Sequence, residues 1–163
     1  MSSGAGQNHS GRKKGKMNRL TRISKDEYYL KIAEAVLLRS TCLRRRYGAV
    51  IVKNDEILAT GYNGAPRGEV NCIDVGVCER EKLNVPKGER YELCLAVHAE
   101  QNALISAARR DIIGGTIYIV GIDVKSNTYA DPQPCLICRR MLKNAGIARA
   151  VGYVNGEVKE LEI

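Results

Sequence analysis

Cys135 and Cys138, with His98 and Glu100 upstream, are the residues of this sequence whose types and spacing best suit chemistry. Two cysteines three apart at the opening of a helix put both sulfurs on one face. Pro134 suits the first helical turn, where its missing N–H costs nothing. The positive end of such a helix favours thiolate over thiol. One imidazole completes a set that suits Zn²⁺ and leaves a fourth position open for water, the layout of a catalytic rather than a structural zinc. Glu100 lies two residues past the histidine and is the natural proton carrier. The chain holds only two histidines, and His9 sits in a polar tail, so His98 is the one a folded core can offer. A Cys-x-x-Cys pair alone also fits redox couples and structural zinc. The bland alternative is a satisfied core histidine beside two buried thiols.

Something must position these groups, and 163 residues are enough for one domain with a real core. No apolar run approaches the ~20 residues of a membrane span, and no secretory leader is expected. Six cysteines without such a leader point to a reducing, cytoplasmic setting with metal-bound or free thiols. The net charge of +8 is concentrated at one end: residues 1–22 contribute +6, with no acid among them. That Gly/Ser/Lys-rich stretch is expected to be a disordered basic tail, a solubilising extension or a cloning remnant. Residues 23–163 form the domain. Its near-balanced charge gives no warrant for polynucleotide binding.

Ser24-Lys25-Asp26-Glu27 reads as a capping box, opening a helix to about Ser40 with an apolar face of Tyr29, Ile32, Ala33, Val36 and Leu37. Arg44, Arg45 and Arg46 follow in a short connection, as a solvated charge run or as phosphate contacts, since guanidinium grips phosphate with two prongs. Residues 48–53 and 56–61 form a hairpin across Asn54-Asp55, leading into a glycine-rich turn with Asn63. That amide can donate and accept, which suits a sugar hydroxyl. Residues 70–94 are polar and hold Cys72, Cys78 and Cys94. With Cys42 these are either an insertion clipped by a second, structural zinc or ordinary small thiols. A helix from His98 to about Arg109, a strand at 116–120, the Cys135 helix and a strand at 148–153 complete the order, with a short fifth strand or a tail after Glu157. Strands alternating with helices imply a sheet with helices on both faces. The expected fold is α/β, a three-layer α/β/α sandwich with a mixed sheet of four to five strands.

Arg39-Ser40-Thr41-Cys42, Gly48-Ala49-Val50-Ile51-Val52, Gly61-Tyr62-Asn63-Gly64, His98-Ala99-Glu100-Gln101-Asn102-Ala103 and Pro134-Cys135-Leu136-Ile137-Cys138 together resemble the cytidine/deoxycytidylate deaminase family, and most of all its dCMP branch. They span about residues 23–153. The resemblance implies a cytidine deaminase-like fold and hydrolysis of dCMP to dUMP and ammonia. It implies His98, Cys135 and Cys138 as zinc ligands, Glu100 as proton shuttle and Asn63 near the sugar. Arg44 and Arg46 are the candidate phosphate contacts. The resemblance also implies a second zinc at cysteines like Cys42 and Cys72, a homo-oligomer such as a hexamer, and regulation by dCTP and dTTP. Rival expectations are a tRNA adenosine deaminase, a free-cytidine deaminase, a riboflavin-pathway deaminase, and a silent zinc module that binds nucleic acid through its tail. The last has no use for Glu100.

Overall fold

The computed structural model describes residues 21–163, so the expected tail falls, but for its last two residues, outside them. In chain order the elements are α1 (Lys25–Leu37), β1 (Arg45–Lys53), β2 (Glu56–Tyr62), α2 (Cys72–Val75), α3 (Glu79–Lys82), a 3₁₀ turn (Tyr91–Leu93), α4 (Ala99–Ile105), α5 (Arg109–Ile112), β3 (Thr116–Asp123), β4 (Tyr129–Ala130), α6 (Leu136–Ala145), β5 (Arg149–Val154) and β6 (Glu157–Leu161). The sheet order is β2-β1-β3-β5-β6, with β4 beside β3. Only β3 and β5 run parallel, so the sheet is mixed. It has six strands rather than four or five. The two-residue β4 is too short to leave an alternation pattern.

The continuous apolar runs of β1, β3 and β5 are explained by burial on both faces. Successive side chains alternate between two cores. Ala49, Ile51, Ile117, Ile119 and Ala150 pack with Ala99, Ala103 and Leu142 of α4 and α6. Val50, Val52, Tyr118, Val120 and Val151 pack with Tyr29, Leu30, Ala33 and Leu37 of α1. The site therefore belongs to one layer and α1 to the other. Among the described residues no helix is long and apolar enough to cross a membrane.

Ser24 caps α1, its hydroxyl accepting from the Glu27 N–H at 3.1 Å. The first turn is pinned to the sheet by Asp26. Its carboxylate accepts from both terminal nitrogens of Arg149 at 2.8 Å and from the Tyr118 hydroxyl at 2.8 Å. The Arg149 hydrogen bonds, more than any other cause, hold the Asp26 carboxyl below its ordinary 3.8. A depressed carboxyl stabilises the fold above its unfolded-state pKa and loses that contribution as pH falls through the folded value. Asp26→Asn should therefore cost about 1–2 kcal/mol at neutral pH. In thermal melts the gap to the parent should close as pH is lowered from 5 to below 3. A gap that stays constant over that range would rule out the ion pair as its source.

Candidate active site

The N-terminal ends of two helices meet at one side of the sheet. His98 is the N-cap of α4, and its backbone N–H donates to Gln101 Oε1 at 2.9 Å. Asn102 Nδ2 donates to the Tyr62 carbonyl at 2.8 Å, tying α4 to β2. The helix sits so low on the strand that a Cβ at Gly61 would collide with the Ala99 carbonyl oxygen and the Ala103 amide nitrogen. On the other side, Cys135 is the N-cap of α6, its sulfur accepting from the Cys138 N–H at 3.4 Å. Pro134 thus precedes the cap instead of entering the first turn. The approach to it is fixed by Pro132, whose ring would lie 2.7 Å from a Cβ at Gly152.

His98 Nδ1 lies 3.6 Å from Cys135 Sγ and 3.4 Å from Cys138 Sγ. With Zn–N bonds of about 2.0 Å and Zn–S bonds of about 2.3 Å, tetrahedral angles put the N···S edge at about 3.5 Å. The donor set and its spacing both fit a zinc ion. Among the described residues this is the group of potential ligands whose atoms all lie within 4.8 Å of one another. The Cys138 thiol, and after it His98, bring the Cys135 thiol down to about 4, which favours its thiolate form. The neighbouring Cys135 thiolate in turn pushes the Cys138 thiol up. The hydrogen bond to Cys135 also raises His98. Glu100 is only 7% exposed, and burial pushes its carboxyl up. His98, Glu100 and Cys135 border one cavity of about 640 Å³, and Cys138, fully buried, reaches it only through its 3.4 Å approach to His98 Nδ1.

Residues 23–154 match the family model described as the cytidine and deoxycytidylate deaminase zinc-binding region. This chain belongs to that deaminase family. The deoxycytidylate deaminase of Mycobacterium phage D29 is 39% identical over 137 residues, 81% of this chain and 96% of that protein. The Schizosaccharomyces pombe deoxycytidylate deaminase is 37% identical over 82% of this chain, which spans only 38% of that protein's length. Among solved structures, the dCMP deaminase of cyanophage S-TIM5, in complex with dCMP and dUMP, superposes with a TM-score of 0.56 at 29% identity, over 80% of this chain and 83% of that one.

In this member of the family the remaining candidate residues divide. Asn63 borders the cavity and is 8% exposed. Its Oδ1 already accepts from Ser40 Oγ at 2.5 Å and from the Tyr47 N–H at 2.8 Å, and its Nδ2 donates to the Arg45 carbonyl at 2.9 Å. Its acceptor capacity is spent, so it has one N–H left to donate rather than a donor and an acceptor. Arg44 borders the cavity, paired with Glu81 at 3.2 Å. Arg46 does not border it, which corrects the expectation. The strand begins at Arg45, and strand alternation puts Arg45 and Tyr47 on the cavity face and Arg46 on the other. Cys42, Cys72, Cys78 and Cys94 are half-buried free thiols. Burial chiefly, then the other three cysteines, raises the Cys72 thiol, so the four are neighbours. No three of them reach the 4.8 Å spacing of the His98 group. Sequence reasoning missed Tyr47, Arg80 and Tyr91 on the cavity wall. Their only advance signal was proximity in sequence to residues already singled out.

Proposed function

We propose that this chain is a zinc-dependent deoxycytidylate deaminase, converting dCMP and water to dUMP and ammonia. The observation that carries this is the buried carboxyl of Glu100 in the same cavity as His98 and Cys135, which group with Cys138 at metal-ligand spacing. The substrate is supported by relatives of that name at 37–39% identity and by the S-TIM5 neighbour's nucleotides.

His98 Nδ1, Cys135 Sγ and Cys138 Sγ would hold the ion. Zinc bound there supplies Lewis acidity that lowers the pKa of a water to about 7. Glu100 takes a proton from that water and delivers it to N3 of the pyrimidine, which makes C4 electrophilic. Water oxygen bonds to C4, and Glu100 then takes the remaining proton of that oxygen and passes it to the 4-amino group. The C4–N bond breaks, ammonia leaves and the C4 carbonyl of dUMP remains. Asn63 donates its free N–H to the sugar. Arg44, helped by Arg45 in place of Arg46, receives the phosphate. Incubation with dCMP, cytidine, dCTP and an adenosine-bearing tRNA stem-loop, with ammonia as readout, tests the reading. Release from dCMP alone supports it, and release from any other substrate in preference to dCMP overturns it.

Cys135→Ala should lose both the ion and turnover. Retention of a full equivalent of zinc by metal analysis would count against the ligand set. Cys42, Cys78 and Cys94 each act on the Cys72 thiol, which supports a second, structural zinc, for which the parent should bind about two equivalents rather than one. The reading extends to a cytoplasmic homo-oligomer. It is supported by exposed Leu95, Leu136 and Ile137, of which Leu136 and Ile137 stand at the cavity rim. Sizing in solution tests the oligomer, and adding dCTP or dTTP to the assay tests regulation, which resemblance alone suggests.

A further inference from the structure

Between Gly64 and Ala99 the one buried side chain is a cation, Arg80, at 8% exposure. The segment has no apolar core of its own, and its helices α2 and α3 are four residues each. Arg80 supplies what a core would. One terminal nitrogen donates to the Pro86 carbonyl at 2.8 Å and to the Glu89 carbonyl at 2.7 Å. The guanidinium carbon sits 4.9 Å from the centre of the Tyr91 ring. The Tyr91 ring in turn meets the His98 imidazole edge-on, 5.2 Å between centres at 80°. No carboxylate pairs with Arg80 among the described residues. A desolvated guanidinium costs several kcal/mol unless it is compensated; here two carbonyls and a π face offset part of that cost, while its buried Nε has no hydrogen-bond partner among the described residues. For filling space alone, a methionine would cost less.

We propose that Arg80 and Tyr91 are positioning residues. Arg80 holds the 78–94 arc as the cavity wall and presses Tyr91 against His98, fixing the plane of the imidazole whose Nδ1 faces the two sulfurs. Groups that orient a metal-bound histidine from behind change metal affinity by about 10- to 100-fold when removed. The contact is between the two rings and uses no hydroxyl, so Tyr91→Phe should keep the parental zinc affinity and Tyr91→Leu should not.

The test measures zinc affinity by chelator competition and the visible absorption of the cobalt-loaded protein, for Arg80→Met, Tyr91→Phe and Tyr91→Leu. Circular dichroism monitors the fold. The expected result is about tenfold weaker zinc binding and an altered cobalt spectrum for Tyr91→Leu and Arg80→Met, with Tyr91→Phe like the parent. Parental affinity and spectrum in folded Tyr91→Leu would overturn the proposal, and so would equal losses in Tyr91→Phe and Tyr91→Leu. If Arg80→Met fails to fold, the Tyr91 pair still decides. This goes beyond the proposed activity and rests on it only for the ligand role of His98. If the parent binds zinc but leaves dCMP untouched, the substrate reading fails while the metal measurements still judge the clamp.

Discussion

Glu100→Gln should retain its zinc and lose deamination by about 10²- to 10⁴-fold, the range removed with a general acid–base group. The side chain contributes no atom to the His98, Cys135, Cys138 group, so metal content by elemental analysis should match the parent. Glutamine has the same shape and can still donate and accept hydrogen bonds. It cannot carry a proton from water to N3 and then to the leaving amine. The loss should therefore appear in kcat rather than in KM, as expected for an interaction made in the transition state. Turnover within tenfold of the parent would remove Glu100 from the mechanism.

Gly61→Ala should damage the site from outside it. The added methyl meets backbone, the Ala99 carbonyl oxygen and the Ala103 amide nitrogen, and not a side chain that can swing away. Either α4 lifts or the strand bends, and overpacking of this kind costs about 1–3 kcal/mol. For a domain of this size that lowers the melting temperature by roughly 2–12 °C. Lifting α4 also carries His98 and Glu100 away from Cys135 and Cys138, which sit on a different helix. Activity should fall further than stability alone explains, and zinc should be held more weakly. Thr60→Ala, one residue earlier at an exposed position, should do neither. Equal zinc affinity in Gly61→Ala and Thr60→Ala would show that α4 is not seated by that contact.

The layered sheet was legible in the sequence because its signals are local. The hairpin turn at Asn54-Asp55, the Ser24 cap and the apolar runs at 48–52 and 116–120 each report their own backbone. The metal group was legible because the chain has only two histidines, one of them in the tail, and a Cys-x-x-Cys pair follows Pro134. The direction of Arg46 was not. Extending β1 back to Arg45 depends on its pairing with β3, where Arg45 lies opposite Asp123, a partner far along the chain. The reading of α4 to Arg109 overran. The helix stops at Ile105, where the Ser106 hydroxyl donates back to the Asn102 carbonyl at 2.8 Å. Arg80 was invisible for a different reason. A cation in a polar stretch looks solvated until carbonyls from Pro86 and Glu89 are seen to converge on it.

A cavity wall anchored by one guanidinium leaves the rest of its arc free to vary. Doubling the length of a flexible loop costs only about 0.6 kcal/mol in closure entropy, and no interior packing between Gly64 and Ala99 resists insertion or exchange. Exchanging this arc around a retained Arg80 should thus reshape one wall of the cavity while leaving the sheet, α4 and α6 in place.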